Sequence, residues 1–201
     1  MQQQTGSTEK DVFLAELRTV TTPSHKALEA NPYSVALMAH ETTLDNYATY
    51  LKKLYGFVKP YEQQVYPILA NRISDIADRS KTALLESDLK ALGFSHEQIA
   101  ALPQFNYPTP HSQAQAFGAM YVLEGSTLGG SIIYKRLNHL IQIDKATNGK
   151  YFTAYGETSG AKWKTFIEAF ANYVVENNAQ QETIQSAINT FTAMDKWLSE
   201  A

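Results

Sequence analysis

Apolar residues recur along this chain at helical rather than strand spacing. Val12, Phe13, Leu17, Val20 and Leu28 keep one period, and Leu44, Tyr47, Leu51, Leu54, Tyr55 and Val58 keep a second that resumes through Tyr61, Val65 and Leu69. Phe117, Met120, Tyr121, Leu128, Ile132, Ile133 and Leu137 make a third. Trp163, Phe166, Ile167, Phe170, Tyr173 and Val174 make a fourth, and Ile184, Ala187, Ile188, Phe191, Met194 and Leu198 the last. Residues at such spacing share one face of a helix and bury it together. No segment alternates as a half-buried strand would, and no internal repeat is evident. The pattern predicts an all-α fold of several helices around one core, with no linker dividing it into domains.

Local chemistry places the helix ends. Residues 1–10 read as a disordered polar tail, Gln-rich from Met1 to Ser7, leaving 11–201 as the helical domain. Thr8 followed by Asp11 has the form of an N-cap with an acidic first turn. Pro23 either kinks the first helix or opens a second one capped by Thr21 or Thr22, and Asn31-Pro32 ends the segment. Thr42 or Thr43 caps the next helix, which Pro60 should bend. Ser74–Leu92 reads as one amphipathic helix stopped at Gly93, and Ser95 with Gln98 opens a short one closing at Pro103. Thr109-Pro110 looks like an N-cap with proline at the first helical position.

The helix that follows carries Gly125, Gly129 and Gly130 in its middle. Each interior glycine costs about 1 kcal/mol against alanine, so the cluster needs a reason. Gly125 and Gly129 fall one turn apart on one face, with Gly130 beside them. Either another helix crosses closely there, or something flat or bulky lies on bare backbone.

Composition narrows the chemistry. The chain has 201 residues, enough for one domain with a real core, and a formal net charge of -3. No Lys/Arg cluster is interleaved with aromatics, which argues against nucleic-acid binding. No apolar run approaches a membrane span and no leader opens the chain, so a cytoplasmic protein is expected. With no cysteine there can be no disulfide, thiolate metal site or cysteine nucleophile.

Of the five histidines, His40, His96, His111 and His139 sit at helix ends or just before helices, where solvated imidazoles are ordinary. His25 differs in having a carboxylate, Glu29, four residues on, placed to orient its ring. The same pairing is also common on helix surfaces. A carboxylate di-metal site would need Glu-x-x-His, and no histidine has Glu three residues before it. A phosphate-binding Gly-Lys-Ser/Thr loop and a Gly-x-Ser-x-Gly elbow are also absent from the sequence.

The run Tyr121-Val122-Leu123-Glu124-Gly125-Ser126-Thr127-Leu128-Gly129-Gly130 resembles the distal helix of haem oxygenases, in the bacterial branch associated with bacteriophytochromes. Leu17-Arg18 through Thr21, Pro23 and His25 to Leu28-Glu29 is similar to that family's proximal helix. Leu84-Leu85 through Leu92-Gly93, Tyr155-Gly156 through Phe166, and the last helix with Phe191 and Trp197-Leu198 agree in order.

The resemblance implies a single-domain helical bundle with a glycine-kinked distal helix. It further implies oxidative cleavage of haem to biliverdin, carbon monoxide and ferrous iron. In it His25 would be the iron ligand with Glu29 behind it, and Gly125, Ser126 and Gly129 would be the catalytic distal stretch, with Gly130 beside them. Arg18, Lys164 and Tyr121 would reach the propionates, and Phe191 would contact the macrocycle. Haem would be substrate and cofactor at once. Electrons would come from a separate ferredoxin, flavodoxin or reductase, because the chain has no flavin or nucleotide motif.

Two positions depart from the family pattern. Ser126 stands where many members carry an aspartate that organises proton-delivering water, and Glu168 where some carry a propionate-binding arginine.

Overall fold

In the computed structural model, which describes residues 8–200, the fold is mainly helical, with no strand among the described residues. Eight α-helices follow in order: α1 (Glu9–Glu29), α2 (Pro32–Met38), α3 (Leu44–Leu69), α4 (Thr82–Ala91), α5 (His96–Ala100), α6 (Gln113–Ile141), α7 (Ser159–Glu176) and α8 (Gln180–Ser199). Short 3-10 turns at Ile76–Arg79 and Gly156–Thr158 join some of them. Thr8 and Asp11 form a reciprocal capping box, so Glu9 and Lys10 are already helical; Met1–Ser7, the larger part of the expected tail, lie outside the described residues.

Pro23 does not divide α1. The hydroxyls of Thr21 and Thr22 fold back onto the carbonyls of Leu17 and Arg18 at 2.7 and 2.6 Å, satisfying acceptors in the turn that the proline loosens. Pro60 and Pro67 likewise lie inside an unbroken α3. Asn31, Thr43 and Ser95 cap α2, α3 and α5 as the sequence indicates, and Gly93 takes a φ of 94° just after α4.

Two helix starts differ from expectation, each because a distant residue intervenes. The Ser74–Leu92 segment is no single helix: a 3-10 turn ends at Arg79, Ser80 is extended, and α4 begins at Thr82. There the Glu62 carboxylate of α3 accepts from the Ser80 hydroxyl at 2.7 Å, from the backbone N–H of Lys81 at 2.5 Å and from the Thr82 hydroxyl at 2.7 Å. This tertiary cap does the work no local residue does. The long glycine-bearing helix starts at Gln113, not at Pro110, because Ser112 caps it by accepting from the Gln115 N–H at 3.1 Å. The Thr109 hydroxyl is engaged instead with the Gln64 side chain on α3.

Helix α6 is the central element. It packs along α8 and also touches α3 and α7, while α1 lies across α7 and α8. The core is unusually aromatic: Phe13, Phe117, Phe166 and Phe170 interlock with ring centroids 5.4–6.4 Å apart, within the favourable range for tilted and stacked pairs. Among the described residues no helix is long and apolar enough to cross a membrane.

Candidate functional site

A cavity of about 290 Å³ opens between α1, α3, α6 and the ends of α7 and α8. One side is α1, which carries Arg18 and His25 into the lining two turns apart. The floor is apolar and aromatic, formed by Tyr50, Leu54 and Phe152, and Phe191 and Met194 close it from α8. The remaining wall is the backbone and small side chains of α6 from Tyr121 to Gly130.

His25 stands at the mouth. Its ring lies edge-on to Phe191 with centroids 5.6 Å apart, and the imidazole remains 55% exposed. Glu29 approaches Nδ1 at 3.6 Å, too long for a hydrogen bond but close enough to bias the ring electrostatically and leave Nε2 uncommitted. Arg18, one of the cations in the lining, makes no ion pair among the described residues. It flanks Tyr121, whose phenol burial pushes up in pKa while Thr21 and the Arg18 charge pull it back. Tyr121 rather than Met120 lines the cavity; Met120 is fully buried in the core.

The α6 glycines divide by cause. A Cβ on Gly130 would come within 2.5 Å of the Phe152 carbonyl oxygen, so this residue permits a close helix–loop contact. A Cβ on Gly125 would meet only the Trp163 ring, at an ordinary 3.6 Å, and one on Gly129 would meet nothing within 4 Å. The helix runs through all three glycines without interruption. Two hydroxyls on the same stretch turn inward to the helix: Ser126 donates to the Leu123 carbonyl and Thr127 to the Glu124 carbonyl, both at 2.7 Å.

Behind this wall lies a buried ionic cluster that no sequence pattern indicated. Glu124, 1% exposed, holds Arg79 Nη1 at 2.5 Å with one oxygen and Lys81 Nζ at 2.5 Å with the other. The Tyr155 hydroxyl donates to the same carboxylate at 2.8 Å. Burial and the Glu124 charge drive that phenol far above its ordinary pKa. Farther out, Asp75 accepts from Arg79 Nε and Lys162 Nζ, both at 2.8 Å. Burial raises the Asp75 pKa, but these two bonds outweigh it and hold it below the usual carboxylate value. Lys81 belongs to the cavity wall, so the cluster is an electrostatic backing for it. The signal was unreadable because Glu124 lies 45 and 43 residues from its two cationic partners.

Of the residues singled out from the sequence, Arg18, His25, Tyr121, Gly125, Ser126, Gly130 and Phe191 meet at this cavity. Glu29 touches it only through His25, and Gly129 is not in the lining. Lys164 and Glu168 lie exposed on α7 outside the lining, where Trp163 fills the wall instead. Tyr50, Lys81, Tyr151 and Phe152 line the cavity without having been foreseen. A flat apolar disc with a metal at its centre and carboxylates at its edge fits this donor set: one imidazole, a side-chain-poor backbone, aromatic walls and a free guanidinium at the mouth. Among the described residues no group of three or more His, Asp or Glu side chains is arranged to hold a bare metal ion.

Residues 11–200 match the family model described as Heme oxygenase. A heme oxygenase of Xanthomonas campestris is 33% identical over 144 residues, which cover 71% of this chain and 82% of that protein. Among solved structures, the NO- and CO-bound heme oxygenase from Neisseria meningitidis superposes with a TM-score of 0.73 at 22% identity, covering 94% of this chain and 93% of that one. The heme oxygenase from Leptospira interrogans gives 0.75 at 17% identity over 94% and 99% of the two chains. Heme oxygenase-1 from the cyanobacterium Synechocystis, solved in complex with heme, gives 0.74 at 14% identity over 92% and 90%. At these identities the structural likeness speaks for the fold.

Proposed function

The chain belongs to the haem oxygenase family, and on that premise we propose that it cleaves haem to biliverdin, carbon monoxide and ferrous iron, with electrons from a separate ferredoxin, flavodoxin or reductase. The observation that carries the reading is the meeting of His25 from α1 and the bare backbone at Gly125 from α6 in one apolar cavity.

Haem supplies the redox-active iron and the meso carbon that is oxidised. The chain's part is to bind, orient and exclude water. His25 would hold the iron through Nε2, which Glu29, lying beside Nδ1, leaves uncommitted. Arg18 and Tyr121 would take the propionates, and Phe191, edge-on to His25, would limit rotation of its ring. Gly125 would keep side-chain bulk out of the haem site on the α6 side, with Ser126 next to it; Gly129, outside the lining, would add no bulk to that helix, and Gly130 seats the helix against Phe152. Lys164 contributes only long-range positive charge from α7. The reaction takes place in the cytoplasm.

Haemin titration followed by reductant and air tests the reading. A Soret band that His25→Ala strongly weakens, then conversion to a bilin spectrum, is the expected sequence of results. One observation favours haem carriage without turnover: the only side-chain oxygen at position 126 is a hydroxyl already donating to Leu123, so it offers no charge to organise water. Under that alternative the His25-dependent band forms and persists intact in air.

A further inference from the structure

Residues 149–152, between α6 and α7, are held more firmly than a surface connection requires. Asp88 on α4, fully buried, accepts the backbone N–H groups of Lys150 and Tyr151 at 3.0 and 2.8 Å. Burial of that carboxylate raises its pKa while the two bonds pull it back, so the segment is fixed by a group that is costly to bury. Next along, Phe152 stacks on Tyr50 at 6.4 Å, and its carbonyl fits against Gly130. The result is a fixed position for the Tyr151 ring, edge-on to Phe152 at 5.2 Å and in the cavity wall next to Ser126.

Oxygen chemistry in an apolar cavity needs a hydrogen-bond donor aimed at the place where negative charge develops. The α6 hydroxyls in the lining cannot easily serve, since the Ser126 and Thr127 protons both go to carbonyls of their own helix. Of the other phenols in the lining, Tyr121 lies beside Arg18 and Thr21, and Tyr50, on α3, has its ring stacked on Phe152. No hydrogen bond among the described residues commits the Tyr151 proton. Burial, with Tyr50 and Glu62 adding to it, drives the pKa of this phenol well up, and Ser126 lies close enough to pull it back in part without an aligned bond joining the two. Tyr151 thus keeps its proton and offers it.

We propose that Tyr151 is the hydrogen-bond donor to the exogenous ligand held by the iron, on the α6 side of the cavity. The proposal rests on the haem reading above, and fluoride, an anionic ligand that accepts such a bond, separates the two. The ferric haem complex is titrated with fluoride in the unaltered protein and in Tyr151→Phe, which removes one oxygen and leaves the ring packing and the Asp88 bonds in place. The expected result is a loss of about tenfold in fluoride affinity, the size of one hydrogen bond to a charged acceptor, with the Soret band and haem affinity unchanged. Fluoride affinity in Tyr151→Phe within twofold of the unaltered protein overturns the assignment while leaving the haem reading intact. Absence of any His25-dependent Soret band overturns the haem reading itself, and the assignment with it.

Discussion

Gly118 and Gly125 sit two turns apart on α6 and face different demands. A Cβ on Gly118 would collide with the Thr183 carbonyl, lie 2.8 Å from the Ser186 side chain and 3.1 Å from the Ala187 nitrogen, because α8 crosses there at backbone contact. A Cβ on Gly125 would rest on Trp163 at van der Waals distance. The first glycine is thus required by the chain's own packing. The second lowers helix stability with no packing return inside the chain, which is the cost the proposed haem site would account for. Glycine in a helix therefore has more than one cause, and only tertiary packing separates Gly118, pressed by α8, from Gly125, which no chain atom crowds.

Three substitutions test this division. The largest effect is expected from Glu124→Ala, which strips both buried cations of their carboxylate behind the cavity end of α6; a loss of about 3–5 kcal/mol in denaturant unfolding is expected. A loss under about 1 kcal/mol would mean that the cluster is hydrated and does not brace this half of the helix. Next comes Gly118→Ala. Here the obstructing atoms are largely backbone, so overpacking of about 1–3 kcal/mol should exceed the helix-propensity gain of about 1 kcal/mol and lower the unfolding midpoint. Smallest in stability is Gly125→Ala, expected to be neutral or to gain up to about 1 kcal/mol while weakening the haemin titration. If Gly125→Ala destabilises as much as Gly118→Ala, the two glycines share one structural role and the comparison fails.

Much of the fold was legible because its determinants are local. Helical periods in the long segments, the Thr8–Asp11 and Ser95–Gln98 boxes, Asn31 before Pro32 and the positive φ at Gly93 all depend on residues a few positions apart. The misread helix starts share the opposite property. Glu62 reaches α4 from a different helix, so that cap could not be seen locally, and Gln64 engages Thr109 across 45 positions, which leaves the start of α6 to Ser112. The site divides in the same way. His25, Arg18, Gly125 and Gly130 were recognisable as a pattern along two helices, whereas Lys164 lies outside the lining because its side of α7 turns to solvent and Trp163 takes the wall. Tyr151 was missed because its place in the lining depends on Asp88, more than sixty residues earlier in the chain.

By itself the sequence determined that this protein is a helical bundle and which two helices carry an imidazole and a glycine-rich face, since side-chain periodicity and capping act over one or two turns. Tertiary structure alone decided which glycines serve packing, where the buried charges of Arg79, Lys81 and Glu124 meet, and which phenol stands in the cavity wall. Burial and partnership are properties of distances in space, and residues more than forty positions apart leave no periodic trace of having met.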